Sequence, residues 1–246
     1  MQQEAIQSER ELSSASHQSA SQPSVADFPP DEVLNEDQIL ALLHRRDLSP
    51  DAIEQLVHPA AMKSRKVCVA IAAHPRAPRH LALRLLRQFY TFDLMRFALQ
   101  PAAAADLKHV ADEQLVARLA SVTLGERLTL ARRASGAVAA ALLLDKESRV
   151  AHTALENARL TEAAVCKALM RPQAAAALVE AVCHHPKWSL RREIRLTLLR
   201  NPHTPPARAL EFARTLPSRL LRDLLHNSRL PEDVKISLRD HLKERT

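Results

Sequence analysis

The sequence predicts an all-α fold, and three observations predict it. Glycine is nearly absent and proline is common, two residues against fifteen. Sheets and tight hairpins draw on Gly for positive φ, whereas helices exclude both residues from their interiors and accept Pro in the first turn. Ala, Leu and Arg outnumber Val, Ile, Tyr, Phe and Thr, the balance that helix propensity favours and strand propensity does not. Apolar residues recur three and four apart, as in Ile39, Leu42, Leu43 and in Val234, Leu238, Leu242.

Taken in order, residues 1–30 are rich in Ser, Gln and Glu and poor in apolar side chains. Such a segment cannot bury enough surface to offset its ordering entropy, so a disordered acidic tail is expected, with a frayed helix over 3–12. The folded body, 31–246, follows as a series of short helices. Asn35 with Gln38 caps the first, and Ser49-Pro50 supplies a cap and a first helical position for the second. Asp112 is expected to start EQLVARLA, and Thr123 with Glu126 forms a capping box. Thr161 starts EAAVCKALM, Thr204 caps a helix whose first position is Pro205, and Pro231 starts the last helix. This spacing gives roughly fifteen helices of about 8–14 residues joined by turns of about 2–5.

The turns repeat. His58-Pro59, His74-Pro75, Gln100-Pro101, His185-Pro186 and Asn201-Pro202 each end an apolar run, with Asn157-Ala158 and Asn227-Ser228 as variants without proline. A helix-opening residue follows at Pro78, Thr161, Pro205 and Pro231. Residues 58–101 align without gaps on 185–228, with nine identities in 44 positions, chiefly at turns and core positions. Paired helices with recurring corners are the sequence signature of a helical solenoid. The stretches LLRNPHTPPARAL, AIAAHPRAPRHLAL, TALENARLTEAAV and LLHNSRLPEDV resemble bacterial HEAT-like repeats of the variant leucine-rich type, over roughly residues 58–243. That resemblance implies a right-handed solenoid of stacked hairpins. Its function is not implied, and the metal cluster some such families carry on a Cys-rich segment is not expected here, because no such segment is present.

Charge is unevenly spread. Residues 31–62 hold two Arg and seven acids, while 63–96 hold eight basic residues and one acid. Residues 97–186 are nearly neutral, and 187–246 hold fourteen basic residues and seven acids. Two basic lobes therefore coincide with the two aligned segments. They are either solvated helix faces or a surface for a polyanion or acidic partner. The acidic 1–62 stretch could also lie against a basic lobe.

Other chemistries find little support. Seven aromatic residues are too few for the stacking platforms of a single-strand binder or a base-flipping enzyme. Trp188 reads as a local packing residue rather than an interface anchor. Cys183-His184-His185 lacks a second ligand pair for zinc, and His58, His74 and His185 read as hydrogen-bonding corner residues. Nucleophile and phosphate-loop motifs are missing, and Gly125 and Gly136 are isolated. Arg132-Arg133-Ala134-Ser135 matches a basic-directed kinase site, but a turn role for Ser135 is the simpler reading. Cys68, Cys166 and Cys183 sit in apolar helical contexts and suit a reducing cytoplasm. The longest near-continuous apolar run, Ala134–Leu144, has 11 residues, against about 20 for a membrane span.

The sequence therefore predicts a cytoplasmic, non-enzymatic scaffold or adaptor with no cofactor, metal, small-molecule substrate or membrane. Its partner is expected to be a protein; the alternative is a nucleic acid or other polyanion bound by the basic lobes. Candidate contacts are Arg79, Arg84 and Arg87 in the first lobe, with Arg191, Arg192, Arg195, Arg208 and Arg214 in the second. Assigned to corners and caps are His74, Pro75, Pro78, Asn157, Thr161, Asn201, Pro202, Thr204, Pro205, Asn227 and Pro231.

Overall fold

A computed structural model describes residues 34–244, which form fifteen α-helices and one 3-10 turn, with no strand. The expected tail, 1–30, and the helix at 3–12 lie outside the described residues. The first half contains α1 (Glu36–Leu43), α2 (Pro50–Gln55), the 3-10 turn (Ala61–Lys63), α3 (Arg65–Ala73), α4 (Arg79–Gln88), α5 (Thr91–Ala98), α6 (Ala105–Arg118) and α7 (Leu124–Arg133). Then come α8 (Gly136–Leu142), α9 (Ser148–Leu155), α10 (Glu162–Leu169), α11 (Ala176–His184), α12 (Arg192–Leu198), α13 (Pro206–Arg214), α14 (Ser218–His226) and α15 (Glu232–Glu244). None is long and apolar enough to cross a membrane.

Six helix starts follow local side-chain capping chemistry. Asn35 and Gln38 close a reciprocal capping box on α1, and Thr123 with Glu126 does the same on α7. Ser49, Ser64, Ser135 and Thr161 each accept a backbone N–H from the helix they open. Ser135 also donates to Asp112 Oδ1 at 2.8 Å.

Three local expectations are corrected. Asp112 starts no helix: it lies inside α6, whose fourteen residues run through ADLKHVADEQLVAR without a breaker. Thr204 does not cap α13. Its Oγ1 donates instead to Leu198 O at 2.6 Å, and Pro205 takes the cap position with Pro206 as the first helical residue. The physical reason is supply and demand. Pro205 and Pro206 carry no N–H to cap, whereas the last turn of α12 presents an orphan carbonyl. Pro78 and Pro231 stand where they were assigned, immediately before α4 and α15. Finally, several connections exceed five residues, because a corner residue and a cap residue must both fit between helices.

The corners share one hydrogen-bonding device. Asn201 Nδ2 donates to Leu169 O at 2.9 Å, and its Oδ1 accepts from His203 N at 2.9 Å. Asn157 Nδ2 donates to Ala131 O at 2.8 Å while Oδ1 accepts from Arg159 N. His74 does the same with a ring: Nδ1 accepts from Arg76 N and Nε2 donates to Arg45 O at 2.7 Å, which fixes the Nε2–H tautomer. At the last corner the role falls to Ser228, which donates to Leu199 O and accepts from Leu230 N. Asn227, assigned that role by the sequence reading, is exposed. Each acceptor carbonyl lies in the last turn, or just beyond the end, of the helix two earlier in the chain. The final carbonyls of a helix have no partner of their own, so these side chains satisfy them across the stack.

His185 and Trp188 form a variant. His185 Nδ1 accepts from Lys187 N, and its Nε2 sits 3.1 Å from Glu156 Oε1 out of hydrogen-bonding line. The reach to the earlier helix is made by Trp188, whose Nε1 donates to Leu155 O at 2.9 Å. Trp188 is 2% exposed, so it packs internally and is not available as an anchor for a partner.

The principal packing contacts join each helix to its first or second neighbour in the chain. The second-neighbour contacts run α1–α3–α5, α4–α6–α8–α10–α12, α7–α9–α11 and α13–α15. One apolar core follows them from Ile39 to Leu242. The aligned segments share their helix starts: helices starting at Arg65, Arg79 and Thr91 recur at Arg192, Pro206 and Ser218. Their packing differs, since α3 packs closely on α4 and α5, whereas α12 packs on α10 and not closely on α13 or α14.

Candidate functional site

Side by side, α1, α3 and α5 leave a groove of about 720 Å³ between them. The middle helix explains it. Residues Ala70 and Ala73 of α3 carry only a methyl group, and longer side chains of the flanking helices stand on either side: Leu40 and His44 from α1, Arg96 and Leu99 from α5. Val69, Ala70, Ala73, Leu40 and Leu99 make an apolar floor. Arg46, Arg65, Lys66 and Arg96 surround it. Arg65 is steadied by the Tyr90 ring, with its guanidinium 4.2 Å from the ring centroid, and Lys66 lies 3.5 Å from Glu36.

One acid interrupts this cationic rim. Asp93, on α5, is 6% exposed and lines the groove. Among the described residues its carboxylate has no hydrogen-bond or ion-pair partner. Burial pushes the neighbouring Cys68 thiol above its ordinary range, and the Asp93 charge adds to that push. Asp93 lies in the first turn of α5, where the helix start favours a carboxylate, and its oxygens open into the groove, where a bound N–H or O–H would pair with them.

The groove belongs to the first aligned segment alone in its chemistry. In the second, Thr197, Arg200 and Leu220 stand where Ala70, Ala73 and Asp93 stand in the first. Thr197 is buried, with its hydroxyl donating to Glu193 O. Larger side chains there replace the two methyl groups, and the acid is gone.

The arginines singled out from composition fall elsewhere. Arg79 pairs with Asp106 across α4 and α6. Arg195 and Arg208 flank Phe212, at 5.6 and 4.9 Å from its ring centroid. Arg195 Nε donates to Ser189 O at 2.7 Å, and Arg208 donates to Cys183 O and pairs with Glu211. These two hold the corner after α11 against α13, and the structure gives their donors to the chain itself. Arg84, Arg87, Arg191, Arg192 and Arg214 are exposed and make no ion pair among the described residues. Arg84 and Arg87 lie on α4, whereas Arg191 and Arg192 lie at the start of α12, with α6, α8 and α10 packed in between. The two lobes are therefore separate patches.

None of those eight arginines lines the groove. The sequence did carry a signal for it: Asp93 is the one acid in the basic stretch 63–96. The three thiols are all pushed up by burial, Cys183 to about 11, so they are protonated at neutral pH. Among the described residues no three His, Cys, Asp or Glu side chains converge as metal ligands would. Comparison with protein-family models, with curated proteins and with solved structures returns no match.

Proposed function

We propose that this chain is a non-enzymatic scaffold, a right-handed solenoid of stacked hairpins of the HEAT-like, variant leucine-rich kind, which binds a protein partner through the α1–α3–α5 groove. The packing of each helix on its first and second neighbours supports the solenoid. The observation that carries the binding role is the groove's composition, an apolar floor inside a cationic rim with one buried acid. Its chemistry matches an amphipathic segment with an apolar row, acidic flanks and a single donor for Asp93.

Selection from a displayed random-peptide library on the full chain tests the reading. Enriched peptides should be acidic, with apolar residues three and four apart. Substituting Arg65→Glu and Arg96→Glu together should weaken the best peptide at least tenfold, with the unfolding midpoint unchanged. Peptides that bind the doubly substituted chain equally well would remove the groove from consideration. The alternative, polyanion binding by the basic lobes, requires a ligand that reaches from α4 to α12, about 35 Å at four interaxial steps of about 9 Å. Titration with a 20-base-pair duplex checks it: tight, steeply salt-dependent binding lost on Arg84→Glu and Arg192→Glu would favour that alternative.

A further inference from the structure

We infer that the groove is a docking site for this chain's own N-terminal segment, residues 1–33, which competes with partners for it. The inference rests on the groove being the binding surface proposed above. Three observations carry it.

The first is charge. Residues 1–33 contain six acids and a single basic residue, Arg10, apart from His17. The groove is the inverse, with cations around a single buried acid, Asp93. Glu9 and Glu11 flank Arg10, and Glu4 lies close before it. An arginine that reaches Asp93 would therefore bring carboxylates to Arg65 and Arg96 on either side. The pairing at Asp93 is the most demanding part, because a guanidinium supplies the donors that this carboxylate lacks.

The second is pattern. Ile6 and Leu12 are the large apolar residues nearest Arg10, and they can cover the floor at Val69 and Leu99. The third is connection. The chain enters the described fold at Leu34, beside Ala60, Ala61 and Ser64, and Glu36 pairs with Lys66. Leu34, the first described residue, thus lies toward the Arg65–Lys66 end of the groove. The 24 residue steps from Arg10 to Leu34 reach up to about 80 Å. The nine residues of α3, along which the groove runs, span only about 14 Å. A tethered segment within such reach has an effective concentration in the millimolar range, so weak contacts suffice to fill the site.

A photocrosslinker at Gln100, exposed on the groove's rim, tests this in the full chain. Unlabelled and heavy-isotope protein are mixed before irradiation, and the crosslinked peptides are mapped by mass spectrometry. The main crosslink should fall within residues 1–33 of the same molecule. Arg10→Glu and Asp93→Asn should each lower its yield at least fivefold. Because Asp93→Asn alters the packed fold, Arg10→Glu is the decisive variant. Pairing Glu9→Arg and Glu11→Arg with Arg65→Glu and Arg96→Glu should restore at least half the yield. Crosslinks that miss residues 1–33, that join light to heavy chains, or that ignore Arg10→Glu would overturn the inference. A variant with Glu4, Glu9 and Glu11 changed to Gln should also bind the library-selected peptide about tenfold more tightly. Equal binding without the crosslink sinks this inference and leaves the scaffold reading standing. The crosslink without any selected peptide does the reverse.

Discussion

Replacing Asn201 by Ala should destabilise the chain by about 2–4 kcal/mol, while the same change at Asn227 should cost less than about 0.5 kcal/mol. The two residues looked equivalent in the sequence, since each ends an apolar run ahead of a helix-opening proline. In the fold they are not. Asn201 is 8% exposed and bridges Leu169 O and His203 N, both at 2.9 Å. Truncation removes two hydrogen bonds, each worth about 1 kcal/mol net, and strands a carbonyl shielded from water at a further cost of about 1 kcal/mol or more. Asn227 is exposed, and Ser228 makes the equivalent bonds at that corner. Asn201→Asp is more telling still. It keeps the acceptor for His203 N but sets an oxygen against Leu169 O, so it should be no better than Ala. Chemical denaturation of the full chain, with midpoints and slopes compared across the variants, measures all three. Asn201→Ala and Asn227→Ala with equal midpoints would refute the corner argument, as would an Asn201→Asp variant as stable as the wild type.

The same geometry fixes three other outcomes. Thr204→Asp should destabilise by about 1–3 kcal/mol, because a carboxylate replaces the hydroxyl that donates to Leu198 O; a neutral or stabilising result in denaturant would return Thr204 to the N-cap role, where Asp serves well. Gly136→Ala should cost about 1–3 kcal/mol against the usual gain for this change in a helix, since a Cβ there would collide with Arg159 O; Gly125→Ala, with nothing within 4 Å, should raise the melting temperature. Burial raises the Asp112 pKa above its ordinary 3.8, against the opposing Ser135 hydrogen bond. A carboxyl whose folded pKa is raised contributes most stability when protonated, below its unfolded value. That contribution is lost as pH rises through the folded value, so Asp112→Asn should flatten the decline from about pH 4 upward, and a variant less stable than wild type at pH 7 would contradict it.

The helices were legible because their causes are local. Caps such as Asn35–Gln38 and Thr123–Glu126 and the three- and four-residue apolar spacing act within one turn, and the sequence displays them directly. Asp112 misled because an acid near a helix midpoint looks like a helix start when only its own neighbours are seen. Thr204 and Asn227 misled for a different reason. The Thr204 hydroxyl serves the last turn of the helix it follows rather than the helix ahead, and at the last corner the bond to the earlier helix falls to Ser228 rather than to its neighbour Asn227. The groove was hidden in the same way. Arginines clustered in sequence spread over several helix faces, while the groove gathers Leu40, Ala70 and Arg96 from three separate helices.

What singles out the groove from the rest of the surface is the divergence of two segments that share their helix starts. They keep the helix starts, the corner at His74 and Asn201, and the prolines after each, all of which serve stacking. They part at Ala70, Ala73 and Asp93, which become Thr197, Arg200 and Leu220. Asp93 lies in the first turn of α5 with its carboxylate oxygens open to the groove, so the helix start favours its charge, and Leu at the same place carries none. Changing Asp93 to Leu should therefore alter stability by no more than about 1 kcal/mol while weakening the selected peptide at least tenfold. A folded variant that binds the peptide as well as the wild type does would remove Asp93 from the recognition surface.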